Sequence, residues 1–342
     1  MTTVYVTHPR YTEHNLPGHP EHAGRILSVW QKLEHAGLTS RLLTLEAQPI
    51  DPELILTVHT PRYLEILNWI ESQEGIVHID ADTYGLPSSP HIARLSAGGV
   101  VDAVEAVLSG RADNGLAAVR PPGHHALAGR GMGFCILGNI AIAARYAQLR
   151  HNIERVMIVD FDVHHGNGTQ DMFYDDDSVY FMSTHQYPFY PGTGSVGEVG
   201  TEKGKGYTLN VPLEAGHGDK NYATVYREIL WPAARRFKPQ LILVSAGFDA
   251  HWSDPLAMMR LSLAGYAHLT RELMAMAAEL CAGKIVFVME GGYDLEALGH
   301  GMRNIAHALL GEDEISDPFG ARDGNEPDVK PLIDRLKQTH GL

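Results

Sequence analysis

Short apolar runs alternate along the chain with longer stretches in which apolar residues recur every three or four positions. The short runs are rich in β-branched residues and predict strands at 4–7, 115–119, 155–161, 179–183, 207–211, 241–246 and 285–289. The longer stretches predict helices at 91–109, 138–150, 219–236, 263–281 and 294–310. Alternating helices and almost continuously apolar strands are typical of a parallel sheet that helices cover on both faces.

Helix ends and composition indicate how the chain is divided. Ser262 is a suitable N-cap for the helix at 263–281, and Gly311 follows the helix at 294–310. No internal repeat or break in composition marks a second domain. We therefore expect one α/β domain over residues 1–342, with residues 312–331 forming a surface excursion before a short terminal helix.

Reactive side chains follow five of the predicted strands. They lie at His124-His125, Asp160 to His165, Ser183 to His185, Asp249 and Gly291 to Tyr293. Parallel sheets bind ligands at the carboxyl ends of their strands. The sequence therefore predicts one shared pocket at that edge of the sheet.

Composition narrows the class of protein. The 342 residues are 44% apolar, which is enough for a large core, and no run approaches the roughly 18 apolar residues of a membrane helix. The first residues lack the features of a signal peptide, and two cysteines cannot form a disulfide framework, so we expect a cytoplasmic protein. A net charge of −14 argues against nonspecific nucleic-acid binding and weakly favours cationic substrates.

The segment Asp160-Phe161-Asp162-Val163-His164 directly follows a buried apolar run. If the strand continued through it, residues 160, 162 and 164 would face one side. Buried carboxylates need a cation or hydrogen-bond donors, although a strand end whose aspartates cap the next helix is the simpler interpretation. Two carboxylates and one imidazole would leave an open position on zinc, with Asp162 and His164 as two ligands and Asp249 as the third.

Two further motifs could supply the rest of a hydrolytic site. Pro121-Pro122-Gly123 would present His124 and His125 side by side, with Asp160 keeping one imidazole protonated while the other acts as a base. Tyr293 follows two glycines and could stabilise an oxyanion. Without the other segments, a turn with two solvent-facing histidines and a structural tyrosine would be the preferred interpretation.

Six segments together carry a resemblance to a known family. They are PPGHH at 121–125, GFC at 133–135, DFDVHHGNG at 160–168, FYPGTG at 189–194, SAGFDA at 245–250 and EGGYD at 290–294. In this order they resemble the zinc-dependent histone deacetylases, including bacterial deacetylase-like amidohydrolases and acetylpolyamine amidohydrolases. The resemblance covers roughly residues 17–310. It implies an arginase-like three-layer α/β/α domain with an eight-stranded parallel sheet.

The resemblance implies a role for each matching residue of the site. Asp162, His164 and Asp249 match the zinc ligands, and His125 matches the general base and acid. His124, backed by Asp160, matches its electrostatic partner, and Tyr293 matches the oxyanion-stabilising phenol. Asn167 stands behind the second histidine, as in class II members. The matches to the substrate pocket are Gly133, Phe134, Tyr190, Asp82 and Leu256, and Arg25 resembles the arginine of an internal acetate-release pocket.

The resemblance also implies two potassium sites. The first would use Asp160, Asp162, His164, Ser183 and Thr184. The second, more peripheral site would use Phe173, Asp176, Val179 and Tyr207. Potassium would then be a structural ion beside the single zinc.

Several alternatives remain open at this point. An arginase-type ureohydrolase would need carboxylates where this chain has Gly166 and His251. A non-catalytic sensor of acetylated ligands would not need every catalytic residue, and this chain carries all of the proposed ones. The substrate could be acetyl-lysine in a peptide or protein, an acetylated polyamine or another small amide, and homo-oligomerisation is open. Leu256, where a polyamine-selective relative carries Glu, favours acetyl-lysine or neutral acyl-amides.

Overall fold

A computed structural model describes all residues from Met1 to Leu342. Its main sheet has eight strands, which are β1 (Thr3–Thr7), β2 (Leu43–Glu46), β5 (Asn114–Ala117), β6 (Val156–Asp160), β7 (Val179–Gln186), β8 (Thr208–Leu213), β9 (Leu241–Ala246) and β10 (Ile285–Met289). A separate two-stranded hairpin consists of β3 (Val77–His78) and β4 (Tyr84–Gly85).

Every strand of the main sheet is parallel to its neighbours, in the order β2-β1-β5-β10-β9-β6-β7-β8. The five strands β5, β6, β7, β9 and β10 are buried along their whole lengths. Burial on both faces explains why the sequence shows them as continuous apolar runs. The expected α/β/α architecture is confirmed.

Eleven α-helices accompany the sheets. They are α1 (Gly24–His35), α2 (Pro52–Ile55), α3 (Pro61–Glu71), α4 (Ser89–Leu108), α5 (Asn139–His151), α6 (Asn167–Met172), α7 (Asp219–Val225), α8 (Trp231–Phe237), α9 (Leu263–Cys281), α10 (Leu295–Leu309) and α11 (Lys330–His340). The predicted helix at 219–236 is present, and a π-helical turn at Tyr226–Leu230 separates its two α-helical parts, α7 and α8. No helix is both long and apolar enough to cross a membrane.

The helix ends follow the expected capping chemistry. The hydroxyl of Ser262 accepts a hydrogen bond from the backbone N–H of Gly265 at 3.0 Å and caps α9. Gly311 has a φ of +80° directly after α10, a conformation that glycine adopts without a steric penalty. Residues 310–329 form no regular helix or strand, and α11 follows them as expected.

Two expectations about strand ends are wrong. Strand β6 ends at Asp160, so Asp162 and His164 do not alternate along an extended strand. The chain turns instead, because the Asp160 carboxylate accepts the N–H of Asp162 at 3.1 Å and the Asp162 carboxylate accepts the N–H of His164 at 2.9 Å. Ser183 and Thr184 do not close their strand either, because β7 continues to Gln186.

Candidate active site

The strand order brings the reactive segments together. His124 and His125 follow β5, the turn containing Tyr293 follows β10, Asp249 follows β9, and Asp162 follows β6, and these four strands are adjacent. A cavity of about 210 Å³ lies at this edge of the sheet. Its lining residues are Asp82, His125, Gly133, Phe134, His164, Phe189, Tyr190, Leu256 and Tyr293. All five residues that the resemblance assigns to the substrate pocket are among them.

Asp162, His164 and Asp249 form a buried cluster beside this cavity. One donor atom from each residue lies within 4.8 Å of the others. Nδ1 of His164 is 3.2 Å from Oδ1 of Asp162 and 3.2 Å from Oδ2 of Asp249. Residues separated by up to 87 positions in the chain thus present one nitrogen and two oxygens to a common point.

The surroundings of the two carboxylates suit a cation. Oδ2 of Asp249 is buried and has no hydrogen-bond donor. The other carboxylate oxygens are oriented by the backbone, because the N–H of Val163 donates to Asp249 Oδ1 at 2.8 Å and the N–H of Gly291 donates to Asp162 Oδ2 at 2.8 Å. A Cβ at Gly291 would overlap both carboxylates, so only glycine fits beside them. A nitrogen and two oxygens with an orphaned acceptor fit a catalytic zinc site.

His124 is paired with a carboxylate beneath the pocket. Its Nδ1 lies 3.0 Å from Oδ2 of Asp160, and its Nε2 lies 3.8 Å from Oδ1 of Asp162. Burial favours the neutral ring, but the charges of Asp162 and Asp160 outweigh it and raise the pKa of His124 to about 10. The two carboxylates therefore favour the cationic form of His124.

His125 has a different partner from His124 and is electrically neutral. Its Nδ1 lies 2.7 Å from the amide oxygen of Asn167, which accepts a hydrogen bond from the Nδ1–H group. Nε2 is then the basic nitrogen of the ring. Burial and the neighbouring charge of His124 hold the pKa of His125 well below its usual value. The two ring centroids are only 3.9 Å apart, and this proximity keeps the second ring neutral.

Tyr293 lies across the pocket on the turn after β10. Gly292, just before it, has a φ of +120°, a conformation that would be strained for a residue with a side chain. Burial raises the pKa of Tyr293 well above its ordinary value, so the phenol keeps its proton. The ring lies 5.7 Å from that of Phe134, and the guanidinium of Arg25 lies 5.0 Å from its centroid. Tyr293 is thus a proton-bearing donor at the pocket.

Aromatic rings wall the cavity on both sides. Phe134 and Gly133 both have left-handed backbones, with φ of 68° and 55°, and a Cβ at Gly133 would overlap the ring of His125. Tyr190 lies edge-on to His125 with centroids 5.2 Å apart, and Phe189 stacks on His164 at 5.5 Å. Phe189 therefore belongs to the pocket as well as the two aromatic residues that the resemblance assigns to its walls.

Asp82 lies at the pocket in the loop between β3 and β4. Its backbone carbonyl accepts a hydrogen bond from Nε2 of His19 at 2.9 Å, and its carboxylate accepts the hydroxyl of Thr83 at 3.2 Å. Burial and the adjacent charge of Asp80 raise its pKa. The loop is thus tied to the segment that precedes α1.

The residues assigned to potassium lie in β7 and in the segments next to it. In the first set, the hydroxyl of Thr184 donates to the Asp160 carbonyl at 3.4 Å, and Oγ of Ser183 lies 2.9 Å from Nδ1 of His185. In the second set, the carbonyl of Phe173 accepts the N–H of Asp176 at 3.1 Å. The carbonyl of Tyr207 accepts the N–H of Phe181 at 2.9 Å.

Arg25 is fully buried beneath the Tyr293 turn. It donates to the carbonyl of Gly292 at 2.8 Å, to the carboxylate of Glu21 at 3.2 Å and to the carbonyl of Glu290. Glu21 also binds the buried guanidinium of Arg120 through both oxygens, at 2.8 and 2.7 Å. Arg25 therefore braces the turn that carries Tyr293, a contact that the sequence did not indicate.

Glu290 is a further residue of the site that sequence reasoning left without a role. Its buried carboxylate accepts the N–H of Gly123 at 2.7 Å, the N–H of His124 at 3.3 Å and the hydroxyl of Ser245 at 3.1 Å. It thereby joins the histidine loop to β9 and β10. An acidic residue directly after a fully apolar strand is a signal that could have identified it.

Comparison with known proteins agrees with this geometry. Residues 19–309 match the family described as the histone deacetylase domain. The chain belongs to the histone deacetylase family. The family and its deacetylase and amidohydrolase members make this chain a hydrolase that acts on amide bonds. The fully parallel eight-stranded sheet is accordingly that of a histone deacetylase.

Relatives and one solved structure match almost the whole chain. Histone deacetylase 10, chloroplastic, of Oryza sativa subsp. japonica is 41% identical, and the alignment covers 99% of this chain and 81% of the relative. A probable deacetylase of Archaeoglobus fulgidus is 44% identical over 99% of this chain and 98% of its own. The crystal structure of the HDA15 HD domain superposes with a TM-score of 0.91 at 35% identity, covering 99% of this chain and 94% of that one.

Proposed function

We propose that this histone deacetylase family member is a single-zinc enzyme that removes acetyl or other short acyl groups from the side-chain amine of acyl-lysine. The observation that supports this most strongly is the convergence of Asp162, His164 and Asp249 on one point beside the cavity lined by His125 and Tyr293. Bound to these three residues, zinc would polarise the amide carbonyl and lower the pKa of water.

Three of the protein's own side chains would act on the reacting amide, one by moving a proton and two by stabilising charge. Nε2 of His125, neutral and fixed by Asn167, takes the proton of the attacking water and passes it to the departing amine. His124 remains a cation held by Asp160 and stabilises the negative charge that develops on oxygen at the reacting centre. The Tyr293 hydroxyl donates to the oxyanion, and removing one such donor typically costs 10²- to 10³-fold in rate.

The pocket favours an extended, uncharged side chain. Phe134, Phe189 and Tyr190 surround a cavity of about 210 Å³ and exclude water from the methylene groups of a lysine. Asp82 lines the same cavity and would accept a hydrogen bond from the substrate's backbone amide. Leu256 also lines the cavity and offers no charge to a second ammonium, which favours acyl-lysine or a neutral amide over an acetylated polyamine.

Other features of the protein belong to the same proposal. Residues 1–342 would form one deacetylase domain, since 90 buried residues from all parts of the chain make one continuous core. Potassium would bind as a structural ion at the two sets of residues beside β7. Free Cys135 and Cys281 suit a reducing compartment, and we propose the cytoplasm.

Paired kinetics test the choice of substrate. kcat/KM would be measured for an acetyl-lysine peptide and for N-acetylspermidine, each with and without a chelator. The proposal predicts higher kcat/KM for the peptide and loss of both activities on chelation. A preference for acetylspermidine of about tenfold, equivalent to about 1.4 kcal/mol, would make acetylpolyamine hydrolysis the function instead.

A further inference from the structure

Asp254 lies in the loop after β9, five residues beyond Asp249 and two before Leu256. Its side chain is buried, with only 6% of the residue exposed. No lysine or arginine forms an ion pair with it, so its charge is balanced only by hydrogen bonds. A buried carboxylate without a cationic partner is costly, and the groups that donate to it indicate what it does.

Three backbone N–H groups donate to the Asp254 carboxylate. Oδ2 accepts the N–H of Tyr293 at 2.7 Å and the N–H of Asp294 at 3.1 Å. Oδ1 accepts the N–H of Leu256 at 2.9 Å. One carboxylate thus fixes the backbone of two residues that line the catalytic cavity, although they belong to loops after different strands.

The Tyr293 turn requires an anchor of this kind. Gly291 and Gly292 precede the tyrosine and give the turn a conformational freedom that other residues lack. Arg25 holds the carbonyl side of the turn at Gly292, and Asp254 holds the N–H side at Tyr293. Burial and the negative charge of Asp249 raise the pKa of Asp254 to about 7.

We propose that Asp254 is a positioning residue that sets the place of the Tyr293 phenol and of the Leu256 side chain relative to the substrate amide. This inference rests on the proposed function, because it gives the phenol a catalytic role. Asp254 does not touch the substrate and acts through the two backbones that it holds. A displacement of about 1 Å in a catalytic group can lower the rate about 10²-fold.

A double-mutant cycle tests the proposal. Asp254→Asn keeps the volume of the side chain but removes one of the two acceptor oxygens. We expect kcat on an acetyl-lysine peptide to fall by about ten- to a hundredfold in the wild-type background. In the Tyr293→Phe background, where no hydroxyl remains to be positioned, the same change should lower kcat by less than about threefold.

The neighbouring Asp294 provides a matched control. Its carboxylate caps α10 through the N–H groups of Glu296 and Ala297 and accepts the hydroxyl of Ser253 at 2.6 Å, but it does not bind the backbone of Tyr293. Asp294→Asn should lower the melting temperature while kcat stays within about threefold of wild type. This comparison separates a general loss of stability from a loss of positioning.

Each result decides a different point. If Asp254→Asn retains kcat, Asp254 does not act through the phenol and the inference is overturned. The inference is also overturned if Asp254→Asn lowers kcat by the same factor in the Tyr293→Phe background as in the wild type. If Tyr293→Phe itself retains full kcat, the proposed function fails first. Should Asp254→Asn not fold, Asp254→Glu keeps the charge and shifts the oxygens by one methylene, and it takes the same place in the cycle.

Discussion

Nδ1 of His124 lies 3.0 Å from Oδ2 of Asp160, and this contact gives the two adjacent histidines different charge states. The carboxylate stabilises the cationic form of His124, whereas Asn167 orients His125 through an uncharged amide oxygen. The cation in turn lowers the pKa of the second ring. A pair of identical side chains is thereby divided into an electrostatic group and a base.

This division predicts unequal effects of the two alanine substitutions. His125→Ala removes the proton carrier and should lower kcat by at least 10²- to 10⁴-fold, the usual contribution of general acid–base catalysis. His124→Ala should leave more residual activity, because it removes charge stabilisation and not the base. Steady-state kinetics on an acetyl-lysine peptide check this order, with the exposed His35→Ala as the control. Greater residual activity in His125→Ala than in His124→Ala would reverse the assignment.

The Tyr293 hydroxyl should matter only for catalysis. Tyr293→Phe should lower kcat by about 10²- to 10³-fold while the metal content and the melting temperature remain near those of wild type. Tyr146→Phe removes a hydroxyl that binds Glu105 at 2.7 Å away from the pocket and should leave kcat unchanged. A Tyr293→Phe variant with near-full kcat would assign the phenol a structural role.

Leu256 should control the choice between amide substrates. Leu256→Glu introduces a negative charge at the cavity, where attraction to a second ammonium is worth about 4 kcal/mol at most for a pair at 4 Å near a protein surface. The ratio of kcat/KM for acetylspermidine to that for an acetyl-lysine peptide should therefore rise. Leu256→Gln, which has similar size and no charge, should raise it far less. An equal rise in both variants would show that polarity or shape, and not charge, determines the selectivity.

The buried ion pairs of Glu21 should make stability depend on pH. Burial favours the protonated acid, but the charges of Arg120 and Arg25 outweigh it and lower the pKa of Glu21 from 4.5 to about 2. A lowered pKa in the folded state stabilises the fold at pH values above the ordinary pKa of the acid. This contribution is lost as the pH falls from about 4.5 towards 2. Glu21→Gln should lower the free energy of unfolding at pH 7 by about 3–5 kcal/mol, because it leaves buried guanidinium groups unpaired.

Urea titrations of chelated protein at pH 7 and at pH 3 measure this effect. The difference between wild type and Glu21→Gln should be smaller at pH 3. The exposed pair of Glu13 with Arg10 provides the control, since Glu13→Gln should change stability by less than about 1 kcal/mol. A difference that grows at pH 3 would contradict the account of the Glu21 cluster.

Much of the sheet could be predicted because its central strands are buried on both faces. All seven predicted strands are present, with ends displaced by up to three residues. Strand β2 was missed because it is a four-residue edge strand whose residues are only half-buried or exposed. Helix α1 was missed although Ile26, Val29 and Leu33 form an apolar stripe at spacings of three and four.

The site was predictable where one short segment carries the chemistry. Asp162 and His164 are two residues apart, and Gly291 and Gly292 precede Tyr293 directly, so these motifs are visible in the sequence. Asp254 and Tyr293 are 39 residues apart, and their contact depends on how two loops meet above adjacent strands. No periodicity or spacing within one segment encodes that contact, which is why the supporting residues emerged only from the structure.

The most direct test of the account is the metal stoichiometry that activity requires. Chelated protein would be titrated with zinc while activity on an acetyl-lysine peptide and bound zinc are measured together, with Asp249→Asn treated in the same way. The account predicts that activity saturates at about one zinc per chain and that Asp249→Asn binds zinc much more weakly. Activity that requires two metal ions per chain, or wild-type zinc affinity in Asp249→Asn, would contradict it.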